Sequence, residues 1–287
     1  MNMEKIAVVT DTGSNMSFEE GARLGIHVLP LQITFGQTAY QDLEEITTEQ
    51  IYQRLKNKEL PKTSMPVYLR IETLFKKLQA DGYDTILGVP LTSGLSTTAA
   101  TMQSVAQEIG ISFVLLDCFS TCQIQKYVAI QAKKLVDAHK SSKEILECLQ
   151  PKIQNANSII LVKDLEHLKR GGRLTPMAAK LASLLKIFPI LQINQQTNGK
   201  IDVFSKVRTE SKAYQFALEQ AIQQMKDIQH TKAFLIHTEY QEGVDLMKKT
   251  LLEAGMPEEN IQFEVISSVI AVHTGMKCTC LQFIEEV

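Results

Sequence analysis

Three cations and a chain reversal are compressed into the run Leu168-Lys169-Arg170-Gly171-Gly172-Arg173-Leu174-Thr175-Pro176, a composition suited to facing an anion. Gly171 and Gly172 are expected to take left-handed backbone angles that end a helix begun near Asp164, while Thr175 and Pro176 suit the N-cap and first position of the next helix. The Arg173 guanidinium is then held in a tight turn. The same cations would also complement a helix C-terminus as solvated charges. Three other segments bring hydroxyls to a helix N-terminus: Asp11-Thr12-Gly13-Ser14, Lys62-Thr63-Ser64-Met65-Pro66 and Pro90-Leu91-Thr92-Ser93-Gly94-Leu95-Ser96. Free backbone amides, the helix dipole and the hydroxyls could cradle a small anion at each, although Ser and Thr are also the ordinary N-caps. Ligands of open parallel sheets gather beyond the C-terminal ends of strands, and the Asp11 and Ser93 segments both follow predicted strands. His273 ends an apolar element just before Gly275, where it can point into a cleft or serve as a structural imidazole. Arg208 precedes a predicted helix and has a solvated loop charge as its ordinary role.

Several chemistries are disfavoured. The chain contains no Walker A sequence, no GxGxxG after the first strand and no HExxH, which argues against nucleotide hydrolysis and zinc proteolysis. No Gly-x-Ser-x-Gly elbow surrounds Ser93, so no catalytic residue is assigned, and a serine hydrolase is the lesser reading. The five cysteines are odd in number and sit mostly in apolar company, without zinc spacing; reduced thiols, no metal and no cofactor are expected. A net charge of −2 with scattered Lys and Arg argues against a nucleic-acid partner. No apolar stretch reaches the ~20 residues of a membrane span and the start has no signal-peptide layout, so a cytoplasmic location is expected.

The elements that must position these residues suggest two units. With 287 residues, 44% of them hydrophobic, the chain exceeds one ordinary core. The first half alternates short apolar runs with amphipathic ones, the βα pattern of a mostly parallel sheet flanked by helices. Strands are predicted at 5–10, 26–35, 85–89 and 113–116. A Ser17/Glu20 capping box opens a helix ending near Gly25, Thr47 and Gln50 cap another, Pro66 sits in the first turn of a third, and helices at 122–138 and 142–154 close this half. The second half reads as α+β with mixed or antiparallel pairing: strands at 158–162, 188–194, 201–204, 233–237, 262–266 and 279–284, helices at 210–226 and 242–254, and a hairpin at Asn198-Gly199. An α/β class with domains 1–155 and 156–287 is expected.

Taken as a set, these segments resemble the DegV family of bacterial two-domain fatty-acid-binding proteins, the lipid-carrying subunits of fatty acid kinase. Val9-Thr10-Asp11-Thr12 is similar to its TDS-type strand end, Thr63-Ser64-Met65-Pro66 to its TSQP loop, and Thr92-Ser93-Gly94-Leu95-Ser96 to its SSGLSGT turn. Leu168–Leu174 resembles its LKKGGRI corner, Lys206-Val207-Arg208 its KxRG segment and His273-Thr274-Gly275 its HTGPG loop. The resemblance spans nearly the whole chain. It implies a long-chain fatty acid in the interdomain cleft, whose tail fills an apolar tunnel and whose carboxylate meets Thr63, Ser93 and His273, with Ser64, Gly94 and Thr274 beside them and Arg173 neutralising charge. It further implies that Arg208 contacts the ATP-binding kinase subunit and that the acyl phosphate product stays in the carrier. A monomer that meets membranes peripherally for lipid exchange is expected. The chain departs from the family pattern at Met65, Val67, Thr97–Ala99, Asp117–Thr121 and Met276–Cys278, around the head-group site, which bears on acyl preference and kinase pairing. An acyl-ester hydrolase using Ser93 and His273, or a lipid-sensing regulator, is the alternative.

Overall fold

The structure, a computed structural model, describes residues 4–181 and 187–287. The first half runs β1 (Ile6–Asp11), α1 (Phe18–Leu24), β2 (His27–Leu29), β3 (Gln32–Phe35), β4 (Thr38–Gln41), α2 (Thr48–Lys56), β5 (Lys62–Ser64), α3 (Tyr68–Ala80), β6 (Thr85–Val89), α4 (Thr98–Ile109), β7 (Ser112–Leu115), α5 (Cys122–Asp137) and α6 (Ser142–Asn155). Strands β2-β1-β6-β7 form a parallel sheet. Every residue of β1 and β6 is buried, as an apolar run covered by helices on both faces requires. Val9 and Ile86 face Ile71 and Phe75 of α3 and Met102 and Val105 of α4, while Val8 and Leu87 face the opposite core.

The single strand predicted over 26–35 is two strands in two sheets. Pro30 has no amide to give a ladder, so β2 stops at Leu29; the chain then turns, and β3 pairs antiparallel with β4 and β5 in a separate three-stranded sheet. In that sheet the Lys62–Pro66 segment begins as a strand, with Thr63 opposite Ile33, before the chain enters the next helix. Pro66 precedes α3, whose N-cap is Val67 with no side-chain bond. Only half of the expected Ser17/Glu20 box forms: Ser17 accepts from the Glu20 amide, but the Glu20 carboxylate pairs with Lys126 at 2.8 Å. The Thr47/Gln50 box is complete.

The second half runs β8 (Asn157–Leu161), α7 (Leu165–Arg170), α8 (Pro176–Leu181), β9 (Phe188–Ile193), β10 (Asp202–Val207), α9 (Glu210–Gln224), β11 (Thr231–His237), α10 (Gln241–Glu253), β12 (Ile261–Val265), α11 (Ser268–Thr274) and β13 (Thr279–Glu285). Its sheet has the order β10-β9-β8-β13-β11-β12 and is antiparallel except for β11–β12. The molecule is thus a two-domain α/β protein with one parallel and one mixed sheet. Alternation along β8 divides its faces: Ile159 and Leu161 join Leu218 of α9 and Val244 of α10, whereas Ile160 joins the core containing Val8 and Leu87. Both sheets therefore contribute to one apolar interior. A fully satisfied buried amide ties them, because Gln282 accepts from the Gln123 amide at 2.9 Å and donates to the Thr121 carbonyl and the Ser158 hydroxyl, each at 2.9 Å.

The cysteines are free. Cys118, Cys122, Cys278 and Cys280 are buried as expected, but Cys148 is exposed on α6. Among the described residues no cluster of three metal-ligating side chains occurs, and no helix is long and apolar enough to cross a membrane.

Candidate functional site

A cavity of about 520 Å³ lies between the two halves and is lined by Thr63, Ser64, Ser93, Gly94, Arg173, His273 and Thr274. Four separate segments of the sequence thus meet at one site. β5 supplies Thr63 and Ser64, the turn after β6 supplies Ser93 and Gly94, the corner after α7 supplies Arg173, and α11 supplies His273 and Thr274. The rest of the wall is mainly apolar, with Leu31 and Leu91 from the first half and Ile160, Ile193, Ile201, Val269 and Ile270 from the second. Its volume falls in the range of small-molecule pockets, and its few converging polar groups are what such sites use to orient a ligand.

The imidazole and the β5 hydroxyl are in contact: Thr63 Oγ1 and His273 Nε2 are 2.6 Å apart. His273 is 9% exposed, and burial, followed by the charge of Arg173, pushes its pKa down to about 3. The ring is neutral at physiological pH, so it carries one proton and can give only one N–H bond. Arg173 is the charged residue of the described wall; its Nη1 donates to the Gly171 carbonyl at 2.9 Å, which folds the guanidinium back onto its own corner.

That corner differs from expectation in one respect. Gly172 is left-handed (φ 71°), but Gly171 keeps helical angles (φ −62°, ψ −19°). The need for glycine at 171 is spatial: a Cβ there would lie 2.6 Å from His273 Nδ1. The next helix is capped as expected, with the Ala178 amide donating to Thr175 Oγ1 at 3.2 Å.

The Ser93 turn is held from below by two acids, the buried Asp11 and the half-buried Asp117. Asp11 accepts from the Leu91 amide at 2.8 Å and the Gly13 amide at 2.9 Å, and Asp117 accepts from the Ser93 amide at 3.0 Å. The Asp11–Ser14 segment is consequently no anion cradle. Its four residues are fully buried or nearly so, and the carboxylate already takes Gln125 Nε2 at 3.0 Å; its role is to seat the Ser93 turn. From above, the turn meets the β9–β10 hairpin through glycine alone. A Cβ on Gly94 would fall 2.3 Å from the Gly199 carbonyl, and one on Gly199 (φ 66°) would fall 2.0 Å from Thr92 Oγ1. The Asn198-Gly199 signal located this turn, but nothing in the sequence pointed to its docking, or to Ile193 and Ile201 as wall residues.

Met65 closes another side. Its sulfur accepts from Thr101 Oγ1 at 3.0 Å and Thr97 Oγ1 at 3.5 Å, so the lid beside Thr63 is a thioether fixed to the start of α4. Arg208 lies elsewhere, exposed between β10 and α9 and outside the cavity wall.

Fold and site together define a two-domain α/β protein with an apolar pocket headed by hydroxyls, a neutral imidazole and one guanidinium. The chain belongs to the DegV family, whose model, described as uncharacterised protein, DegV family, matches residues 5–286. It is 34% identical over 277 residues to a DegV domain-containing protein of Listeria innocua, covering 95% of each chain. Among solved structures it is similar to a fatty acid binding DegV family protein from Streptococcus agalactiae, with TM-score 0.90, 28% identity, and coverage of 99% of this chain and 100% of that one. It is also similar to DegV, a fatty acid binding protein from Bacillus subtilis, with TM-score 0.85, 28% identity and the same coverage.

Proposed function

We propose that this chain binds a long-chain fatty acid in the cavity and presents its carboxylate to a separate ATP-dependent kinase. The observation that carries this reading is the polarity of the cavity, whose apolar wall ends in the Thr63–His273 pair beside Arg173. A hydrocarbon tail gains ~0.8 kcal/mol per buried methylene, so the tail supplies affinity, while a carboxylate leaving water must find donors. With Nε2–H donating to Thr63 Oγ1, the Thr63 hydroxyl hydrogen is free to turn to a carboxylate oxygen; Ser93 offers a second hydroxyl and Arg173 a compensating charge. The names of the Streptococcus and Bacillus relatives support the same ligand class.

In this reading the kinase brings ATP and magnesium. A carboxylate oxygen attacks the γ-phosphorus, the bond to ADP breaks, and the acyl phosphate stays in the carrier, away from water. Arg208, exposed and without a hydrogen bond or ion pair among the described residues, is the docking contact. The protein works in the cytoplasm as a monomer without a cofactor, and meets membranes only peripherally to exchange lipid. A hydrolase is the weaker reading, because His273 is bonded to Thr63 and no described base is bonded to the Ser93 hydroxyl.

Denaturing extraction and mass spectrometry of the purified protein tests the proposal. A fatty acid at one equivalent is the expected result. A protein that is empty and also fails to take up added fatty acids refutes it.

A further inference from the structure

Helix α11, which carries four cavity residues, is tied at both ends to the small three-stranded sheet. At its last turn His273 meets Thr63 of β5 at 2.6 Å. At its first residue the Ser268 hydroxyl donates to Asp42 Oδ1 at 2.5 Å, and both partners are fully buried. Asp42 directly follows β4, and its amide continues the sheet by donating to the Leu31 carbonyl at 2.8 Å.

The two ties lie diagonally across the sheet. β4 and β5 flank β3, and the register sets Gln41 and Ser64 opposite the same residue, Gln32. Asp42 and Thr63 lie one step to either side of that line, two strand spacings apart across the sheet and two residues apart along it, a diagonal of ~12 Å. The five-residue advance from Ser268 to His273 covers ~7.5 Å of helix. Side-chain reach closes the difference. The sheet thus acts as a frame that sets where α11 sits, and Tyr52 of α2 adds a third tie by donating to the Ile266 carbonyl at 2.6 Å.

Packing alone does not account for a buried hydrogen-bond acceptor at this frame corner. Asp42 Oδ2 has no hydrogen-bond partner among the described residues, and a buried carboxylate with an unanswered oxygen is costly. On the fatty-acid reading above, we propose that Asp42 is a positioning residue for the carboxylate-reading pair. Through Ser268 it fixes α11, and so the Thr63–His273 contact, giving the pocket its preference for an acid head group over an alcohol.

Two measurements on the full chain test this. In lipid-free protein, the imidazole ¹⁵N shifts of His273 should move toward those of an unbonded ring in Ser268→Ala and Asp42→Ala, and stay in place in Asp42→Asn, whose amide oxygen can still accept from Ser268. With ligand, the affinity for octadecanoic acid relative to octadecanol should fall about tenfold in Ser268→Ala and Asp42→Ala, the scale of one charge-assisted hydrogen bond. Octadecanol binding should stay within twofold, and Asp42→Asn should keep the wild-type ratio. If Asp42→Ala fails to fold, Ser268→Ala carries both measurements. Equal loss of acid and alcohol, or unmoved His273 shifts, overturns the positioning role. A wild-type protein that binds neither lipid instead overturns the functional reading, and the ligand-free shifts still decide the frame.

Discussion

Replacing Asp42 with Asn should make the protein more stable at neutral pH, and the gain should vanish in acid. Burial raises the Asp42 carboxyl from 3.8 to about 6, against the lowering influence of the Ser268 and Thr12 hydroxyls. Between about pH 4 and 6 the folded chain holds a proton at this site that the unfolded chain releases, so stability falls as pH rises through that window. Above it the loss is complete. A shift of about two units corresponds to ~3 kcal/mol, which Asn never incurs because it does not ionise. The Ser268 bond survives the change, so geometry should be preserved. Denaturant unfolding of both proteins from pH 4 to 8 measures the effect directly, and their difference cancels the opposing contribution of His273. That imidazole is depressed to about 3, so its stability contribution is present above pH ~6.5 and lost as pH falls toward 3. An Asn variant equally stabilised at pH 4 and pH 7.5, or destabilised at pH 7.5, would refute the account of Asp42 as a buried, costly carboxylate.

Gly171→Ala should perturb both the head-group site and the packing around it. Its φ of −62° suits alanine, but the new methyl would meet His273 Nδ1 at 2.6 Å, so fatty-acid affinity should drop about tenfold for a loss of ~1–3 kcal/mol in stability; unchanged affinity by calorimetry would show that the ring yields freely. Arg208→Ala should leave lipid binding intact and reduce phosphorylation of the bound acid by the kinase, as read by ³²P transfer, and equal loss of both would contradict its role as a docking contact.

The sequence disclosed most of the elements because the apolar periodicities are local. The continuous apolar run of β8, the Asn198-Gly199 turn and the Thr47/Gln50 box each follow from fewer than ten consecutive residues. The small sheet was missed because β3, β4 and β5 are three or four residues long and their signal is pairing, which no window reveals. Thr63 was accordingly read as a hydroxyl at a helix N-terminus, with nothing to show that it is a strand residue facing α11. The candidate ligand residues, Arg208 apart, converge on one cavity, yet they came to notice as hydroxyls and cations near turns and through family resemblance.

What the sequence withheld is the reason for glycine at three of those positions. Gly94, Gly171 and Gly199 look in a sequence like turn formers, and only Gly199 has the positive φ that such a role requires. Gly171 makes room for an imidazole 102 positions further along the chain, and Gly94 for a hairpin more than 100 positions further along. A missing Cβ is a complementary surface, and its partner is legible only when both backbones are in place. The same holds for Asp42, whose partner Ser268 lies 226 residues away. The chain therefore encodes its pocket largely in residues that carry no ligand chemistry: small ones that let distant elements approach, and buried acids that hold the approaching elements in register. A search restricted to hydroxyls, imidazoles and cations finds the groups that would touch a ligand and overlooks those that decide whether they touch it together.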